Sequence, residues 1–256
     1  MEEISFRKSG KGKPVLLIHG FCETHEIWDG FAESLAKSFE LFAIDLPGFG
    51  ESPLPATSFS IHEIAGMILS WIDRRNMSAP FLVGHSLGGY VALSIAEQAQ
   101  NKISGLCLFH STPYPDNDDR KSNRNRVIEF VKKNGADPFI DTYVPGLFYD
   151  KKHPAIPGVY KIARETAEKT LLAYTAAMRD RPSSIDFLKK IEKPVLTIAG
   201  DKDNIISVET SLGFGRLAKI STVQVLENTG HMAMFEQPEL AERILSDFIV
   251  ESSMVL

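Results

Sequence analysis

Short, continuously apolar runs punctuate the chain at intervals: PVLLIH (Pro14 to His19), LFAID (Leu41 to Asp45), FLVGH (Phe81 to His85), ISGLCLF (Ile103 to Phe109), PVLTIAG (Pro194 to Gly200) and TVQVLE (Thr222 to Glu227). Most lack the in–out alternation of a half-solvated strand, which is the pattern of parallel strands covered on both faces. Between them, apolar positions recur at helical spacing over 23–38, 61–76, 87–100 and 207–218, and 238–251 closes the chain in the same way. Strand–helix alternation of this kind predicts βαβ units and an α/β fold with a doubly wound, mostly parallel sheet. The opening EISFRKSG adds an antiparallel edge strand.

One interval breaks the rhythm. Residues 111–181 contain no buried-strand pattern; they open on the polar, turn-rich STPYPDNDDRKSNRNR and continue into helical patterns such as VIEFVKKNG and IARETAEKTLLAYTAAM. A structureless loop of this length does not belong in a compact domain. The expectation is therefore a core of residues 1–110 and 182–256, with 111–181 inserted as a helical cap. An insertion between strands that flank a site can serve as its lid. Phe139, Tyr143, Phe148 and Tyr149 are its candidate substrate-pocket residues.

Composition narrows the function classes. The 256 residues are 43% hydrophobic and 24% charged, with a formal net charge of -5. These are ordinary globular values. Without a basic block to neutralise phosphates, a nucleic-acid partner is not expected. No apolar run reaches the length of a membrane span. MEEISFRKSGKGKP has no apolar segment of the signal-peptide kind. Cys22 and Cys107 are too few for a disulfide framework and read as free thiols, so the expected location is cytoplasmic. A small-molecule substrate and a monomer or homodimer complete this expectation.

The stretch LVGHSLGGY (Leu82 to Tyr90) carries the chemistry. An apolar run ends on a serine hemmed in by glycines and turns at once into a helical pattern. Gly84 and Gly88, two residues either side of Ser86, leave room for backbone where a side chain would clash. Such a turn strains its central residue and exposes the hydroxyl at the helix start, as a nucleophile elbow does. A phosphate loop would need a lysine that is missing here.

A serine nucleophile needs a base, an orienting acid and an oxyanion hole. Of the seven histidines, His85 adjoins Ser86, and consecutive side chains diverge in a sharp turn. His62 and His153 fall on a helix and in the insertion. His231, in ENTGHMAMFEQPE, follows the last strand, where loops at the carboxyl ends of parallel strands converge. AGDKDNII supplies two candidate acids, Asp201 and Asp203, and either gives the chain order serine, acid, histidine of an α/β-hydrolase triad. Leu87 would give one main-chain N–H to the oxyanion, and the loop HGFCETHEIW a second, where Phe21 follows His19-Gly20. Cys22, a rival nucleophile, has no such turn. No metal spacing and no dinucleotide fingerprint is present, so neither metal nor cofactor is expected.

HGF, DLPGFGES, GHSLGG, GDKD and GHMAMFEQPE, taken in this order, resemble the α/β-hydrolase superfamily, and within it the lidded esterase and C–C hydrolase branch. The likeness covers residues 1 to about 110 and about 190 to 256, by strand alternation. It implies Asp203 rather than Asp201 as the acid, beside Ser86 and His231, and Phe21 and Leu87 as the oxyanion hole. Asp45 and Ser52 match a turn that is structural in this family. Dehalogenases and epoxide hydrolases of this fold carry an aspartate where Ser86 stands. The resemblance thus implies a serine hydrolase of the carboxylesterase type; a C–C bond hydrolase or lyase with the same triad, and a non-catalytic ligand-binding relative, are the alternatives. Lys121, Arg124 and Arg126 are the basic residues of the insertion that would favour an anionic substrate.

Overall fold

In the computed structural model, which describes residues 3–255, the apolar runs assemble into one sheet. Its strands are β1 (Phe6–Gly10), β2 (Lys13–Ile18), β3 (Phe39–Ile44), β4 (Phe81–His85), β5 (Gly105–Phe109), β6 (Val195–Gly200) and β7 (Ser221–Leu226). They lie in the order β1-β3-β2-β4-β5-β6-β7. β1 pairs antiparallel with β3, as the opening segment predicts, and every other pairing is parallel.

The order has a consequence for the site. The chain lays β3 on one side of β2, then crosses to place β4 on the other, so the winding reverses between β2 and β4. Ligands of open parallel sheets bind in the crevice beyond the carboxyl ends of the strands at such a reversal. The register keeps those ends level: Ile18 pairs with Gly84, His85 with Phe109, and Phe109 with Ile198. His19, Ser86, His110 and the loop after Gly200 therefore leave the sheet along one edge.

The helices follow their patterns with one correction on the core side. α1 (Asp29–Leu35) is short and is preceded by a 3-10 turn, His25–Trp28, so 23–38 is not one helix. The reason is Glu23, whose side chain is buried and accepts from the N–H of Gly20 (2.6 Å) instead of entering a solvated first turn. α2 (Ile61–Arg74) opens on a Ser60/Glu63 capping box. α3 (Leu87–Ala99) is buried continuously from Leu87 to Ala96, as expected of a helix apolar on all sides.

The inserted interval folds as α4 (Asp118–Asn134), α5 (Asp137–Leu147), α6 (Ile156–Arg164) and α7 (Glu168–Asp180). α4 begins inside the stretch expected to be turns. Its polar outer face hides the periodicity, but the Asn117 side chain caps the N–H of Arg120, and acids in the first turn and lysines in the last oppose the helix dipole. The pattern starting at Ile162 is split between α6 and α7 rather than continuous. α7 is tied to the turn after β3 by hydrogen bonds from Thr170 Oγ1 to the carbonyl of Gly48 and from the Tyr174 hydroxyl to that of Pro47. The chain then adds α8 (Ile185–Leu188), α9 (Val208–Phe214), α10 (Ala233–Glu236) and α11 (Pro238–Val255).

Candidate active site

β4 ends at His85 and α3 starts at Leu87, so the chain reverses on Ser86 alone. Ser86 takes φ 49° and ψ −112°, a left-handed conformation that costs a side-chain-bearing residue about 1–3 kcal/mol. Its surroundings hold it there. Its N–H donates to Phe109 O (3.0 Å), and its carbonyl accepts from Ser111 Oγ (2.7 Å) and the N–H of Gly89 (3.0 Å). The glycines permit the geometry: a Cβ on Gly84 would collide with the backbone of Gly88, and one on Gly88 with the carbonyl of Ile18.

Beside the elbow lies a buried carboxylate–histidine pair. Asp203 Oδ2 accepts from His231 Nδ1 at 2.7 Å, and Oδ1 from the N–H groups of Ile205 and Ile206 at 2.7 and 3.0 Å. Burial alone would raise the Asp203 carboxyl; its interactions with His231 and His110 overcome it and hold the group far below the usual carboxylate range. With Nδ1 of His231 directed at Asp203, Nε2 is the other ring nitrogen, and it is buried without a partner. No hydrogen bond therefore joins Ser86 to His231 Nε2. Asp201 is placed differently: it accepts from the N–H of Thr229 (3.2 Å) and pairs with Lys202, fastening the two loops to each other.

The same carboxylate has a second histidine that sequence reasoning missed. His110 Nδ1 lies 3.1 Å from Asp203 Oδ2, its backbone φ is 49°, and burial pushes the ring down to about 4, so it is neutral near pH 7. Its position just past β5, level with Ser86, was the available clue. Atoms of His110, Asp203 and His231 lie within 4.8 Å of one another, a spacing that could hold a cation. Two Nδ1–H···O hydrogen bonds account for that spacing.

A second buried network lies under the loop after β2. Glu23 Oε2 meets His85 Nδ1 at 2.9 Å, and His85 Nε2 donates to the carbonyl of His231 at 2.9 Å. His19, pushed down by burial and neutral, donates from Nδ1 to Gly20 O (2.7 Å) and accepts the N–H of Leu46 at Nε2 (2.9 Å). These bonds fix the loop that carries Phe21. The main-chain N–H groups of Phe21 and Leu87 themselves have no hydrogen-bond partner among the described residues. Asp45 and Ser52 are structural here too: the Asp45 carboxylate takes the N–H and ring Nδ1 of His25, and Ser52 Oγ donates to the Asp45 carbonyl.

Ser86 and Phe21 line a cavity of about 300 Å³ to which the inserted helices contribute Val127, Phe139, Tyr143 and Met178. Phe139 and Tyr143, one helical turn apart on α5, stack on each other and lie against Phe21. Phe148 and Tyr149 are not part of this lining. α5 ends at Leu147 and the chain continues extended, which buries Phe148 against His153 and leaves Tyr149 exposed. Of the expected basic residues, Arg124 lines the cavity while Lys121 and Arg126 face solvent; Arg120, not singled out from the sequence, lines it as well.

Residues 13–238 match the model of the alpha/beta hydrolase fold family, and the chain belongs to that family. The pimeloyl-[acyl-carrier protein] methyl ester esterase of Methylococcus capsulatus is 27% identical over 95% of this chain and 97% of its own length. The 2-hydroxy-6-oxo-6-(2'-aminophenyl)hexa-2,4-dienoic acid hydrolase of Metapseudomonas resinovorans is 27% identical over 93% of this chain and 84% of its own. Among solved structures, the malate-bound thermophilic esterase of Thermogutta terrifontis superposes with a TM-score of 0.93 at 28% identity, covering 98% of this chain and 94% of that one. Among the described residues, no helix is long and apolar enough to cross a membrane.

Proposed function

We propose that the protein is a serine hydrolase that cleaves small carboxylic esters through an acyl-enzyme, with 111–181 acting as a cap over the site. The observation that carries this reading is the strained Ser86 at the floor of a cavity, beside a buried Asp203–His231 pair whose Nε2 is unpartnered. In this mechanism Ser86 Oγ attacks the ester carbonyl while His231 Nε2 takes its proton. Asp203 holds the tautomer and stabilises the imidazolium. The N–H groups of Phe21 and Leu87 receive the oxyanion, a contribution of about 10²–10³ in rate per donor. His231 then hands its proton to the departing alcohol, and a water molecule, activated by the same nitrogen, releases the acid. The esterase relatives support the ester reading.

The hydrolase of M. resinovorans supports a second reading, C–C bond cleavage by the same residues. A turnover panel of esters, thioesters, lactones and a vinylogous 1,5-diketone separates the two. For the nucleophile itself, p-nitrophenyl acetate should give a burst stoichiometric with enzyme. Ser86→Ala should abolish the burst and reduce turnover by several powers of ten with an unchanged circular dichroism spectrum. A variant that keeps more than about a tenth of the activity would remove Ser86 from the mechanism.

A further inference from the structure

The inward stripe of α4 runs Arg120, Arg124, Val127, Val131, at helical spacing. A helix that covers an apolar neighbour ordinarily fills such a stripe with aliphatic side chains. Here its first two turns present guanidinium groups to the cavity that holds Ser86.

The charges around them do not balance. Arg124 Nε donates to Asp116 Oδ2 at 2.8 Å, and the other oxygen of that fully buried carboxylate is taken by Arg181, also at 2.8 Å. Arg120 forms no ion pair among the described residues; its guanidinium's one hydrogen bond there runs from Nη2 to the carbonyl of Ile205 at 2.5 Å. Arg124 and Arg181 thus share one carboxylate, Arg120 has none, and the cavity lining includes no acid. A cation held in a partly desolvated site without a counter-charge favours an anion there. The planar fork of an arginine matches the two oxygens of a carboxylate. Asn123, on the same lining, adds a neutral donor.

We propose that the substrate is an ester carrying a second, free carboxylate, which Arg120 and Arg124 hold at the α4 end of the cavity while the ester carbonyl lies at Ser86. The bond cleaved rests on the hydrolase reading above; the anion subsite does not. Val127, Tyr143 and Met178, on the same lining, suit a short hydrocarbon spacer. The competing role for Arg120 is a clamp between α4 and the loop of Asp203, since Ile205 donates its own N–H to that carboxylate.

Two substrate pairs test the proposal. Monomethyl adipate against dimethyl adipate puts the charge in the acyl part, and 4-acetoxybutyrate against its methyl ester puts it in the alcohol part. In at least one pair the wild type should prefer the anion by tenfold or more in kcat/KM. Arg120→Gln should cut that preference about 10- to 100-fold, chiefly through KM, the range expected for hydrogen bonds to a charged group. Equal losses on anionic and neutral esters would make Arg120 a clamp, and a wild-type preference for the neutral ester in both pairs would overturn the subsite. Binding is measured apart from turnover: adipate should raise the melting temperature of the wild type and not of Arg120→Gln, and should do so more than inorganic phosphate. Arg120-dependent adipate binding without hydrolysis of any ester would sink the hydrolase reading and leave the subsite standing. Ester hydrolysis through Ser86 with no response to adipate would do the reverse. A stronger response to phosphate would overturn the carboxylate assignment.

Discussion

Asp201 and Asp203 differ by one intervening residue and by everything that surrounds them. Asp203 is buried and receives His231, His110 and two main-chain N–H groups; Asp201 is partly exposed and spends its charge on Lys202 and the N–H of Thr229. Asp203→Asn should therefore cost about 10⁴ in kcat, by favouring the wrong histidine tautomer. Asp201→Asn should cost far less, because it loosens a loop and leaves the imidazole its partner. Steady-state kinetics on one neutral ester decides it, and equal losses would mean the acid is misplaced. Ser86 and His231 were legible because each stands in a short motif in an informative chain order; that order admits Asp201 as well as Asp203, and only the resemblance chose between them. His110 and Glu23 were not: both are polar residues turned inward, and hydrophobic periodicity says nothing of a polar side chain that finds its partner only after folding. Arg120 was hidden for another reason. Counting back from Val131 and Val127 at helical spacing reaches it, but only once α4 is recognised as a helix.

At the scale of elements, the ends of β2, β4 and β7 are locked to one another by Glu23 and His85. Glu23 ties down the Gly20 N–H, and His85 reaches the carbonyl of His231, so the loop of Phe21 and the loop of His231 share one buried pair. Burial opposes charge on both. The facing partner nonetheless holds Glu23 below its ordinary 4.5 and His85 above its ordinary 6.5, which makes the pair ionic between those two values. The sign of the linkage follows. Glu23, with its folded value depressed, contributes stability that is lost as pH falls below 4.5; His85, with its folded value raised, contributes stability that fades as pH rises above 6.5. The urea midpoint difference between wild type and Glu23→Gln should therefore be largest between those limits and shrink on either side. The same variant should lower kcat more than it changes KM, by less than the 10²–10³ of a lost oxyanion donor. A pH-independent midpoint difference would mean that the pair is neutral.

For the whole molecule, the strand edges and the insertion together decide what can reach Ser86. The parallel strands were legible because continuous apolar runs have few other destinations, and the edge strand β1, mostly polar, only as a short segment ahead of them; the insertion was legible as helical but not in its boundaries, because its polar outer faces mask the period. What no pattern could reveal is that its helices bring both aromatic rings and guanidiniums onto one cavity of about 300 Å³. That combination sets a length limit. In a series of neutral p-nitrophenyl esters, each added methylene that is buried against Phe21, Tyr143 and Met178 should gain about 0.8 kcal/mol, close to fourfold in kcat/KM. The gain should stop once the chain reaches Arg120 and Arg124, where a further methylene displaces water from a charged group and crowds a filled space. Replacing the charge should move the limit: Arg120→Leu should carry the optimum to a longer acyl chain, with longer esters gaining and the shortest scarcely affected. A rise that continues through the longest soluble ester in the wild type would describe an open groove. An optimum that stays put in Arg120→Leu would mean that the aromatic wall, and not the guanidinium, closes the cavity.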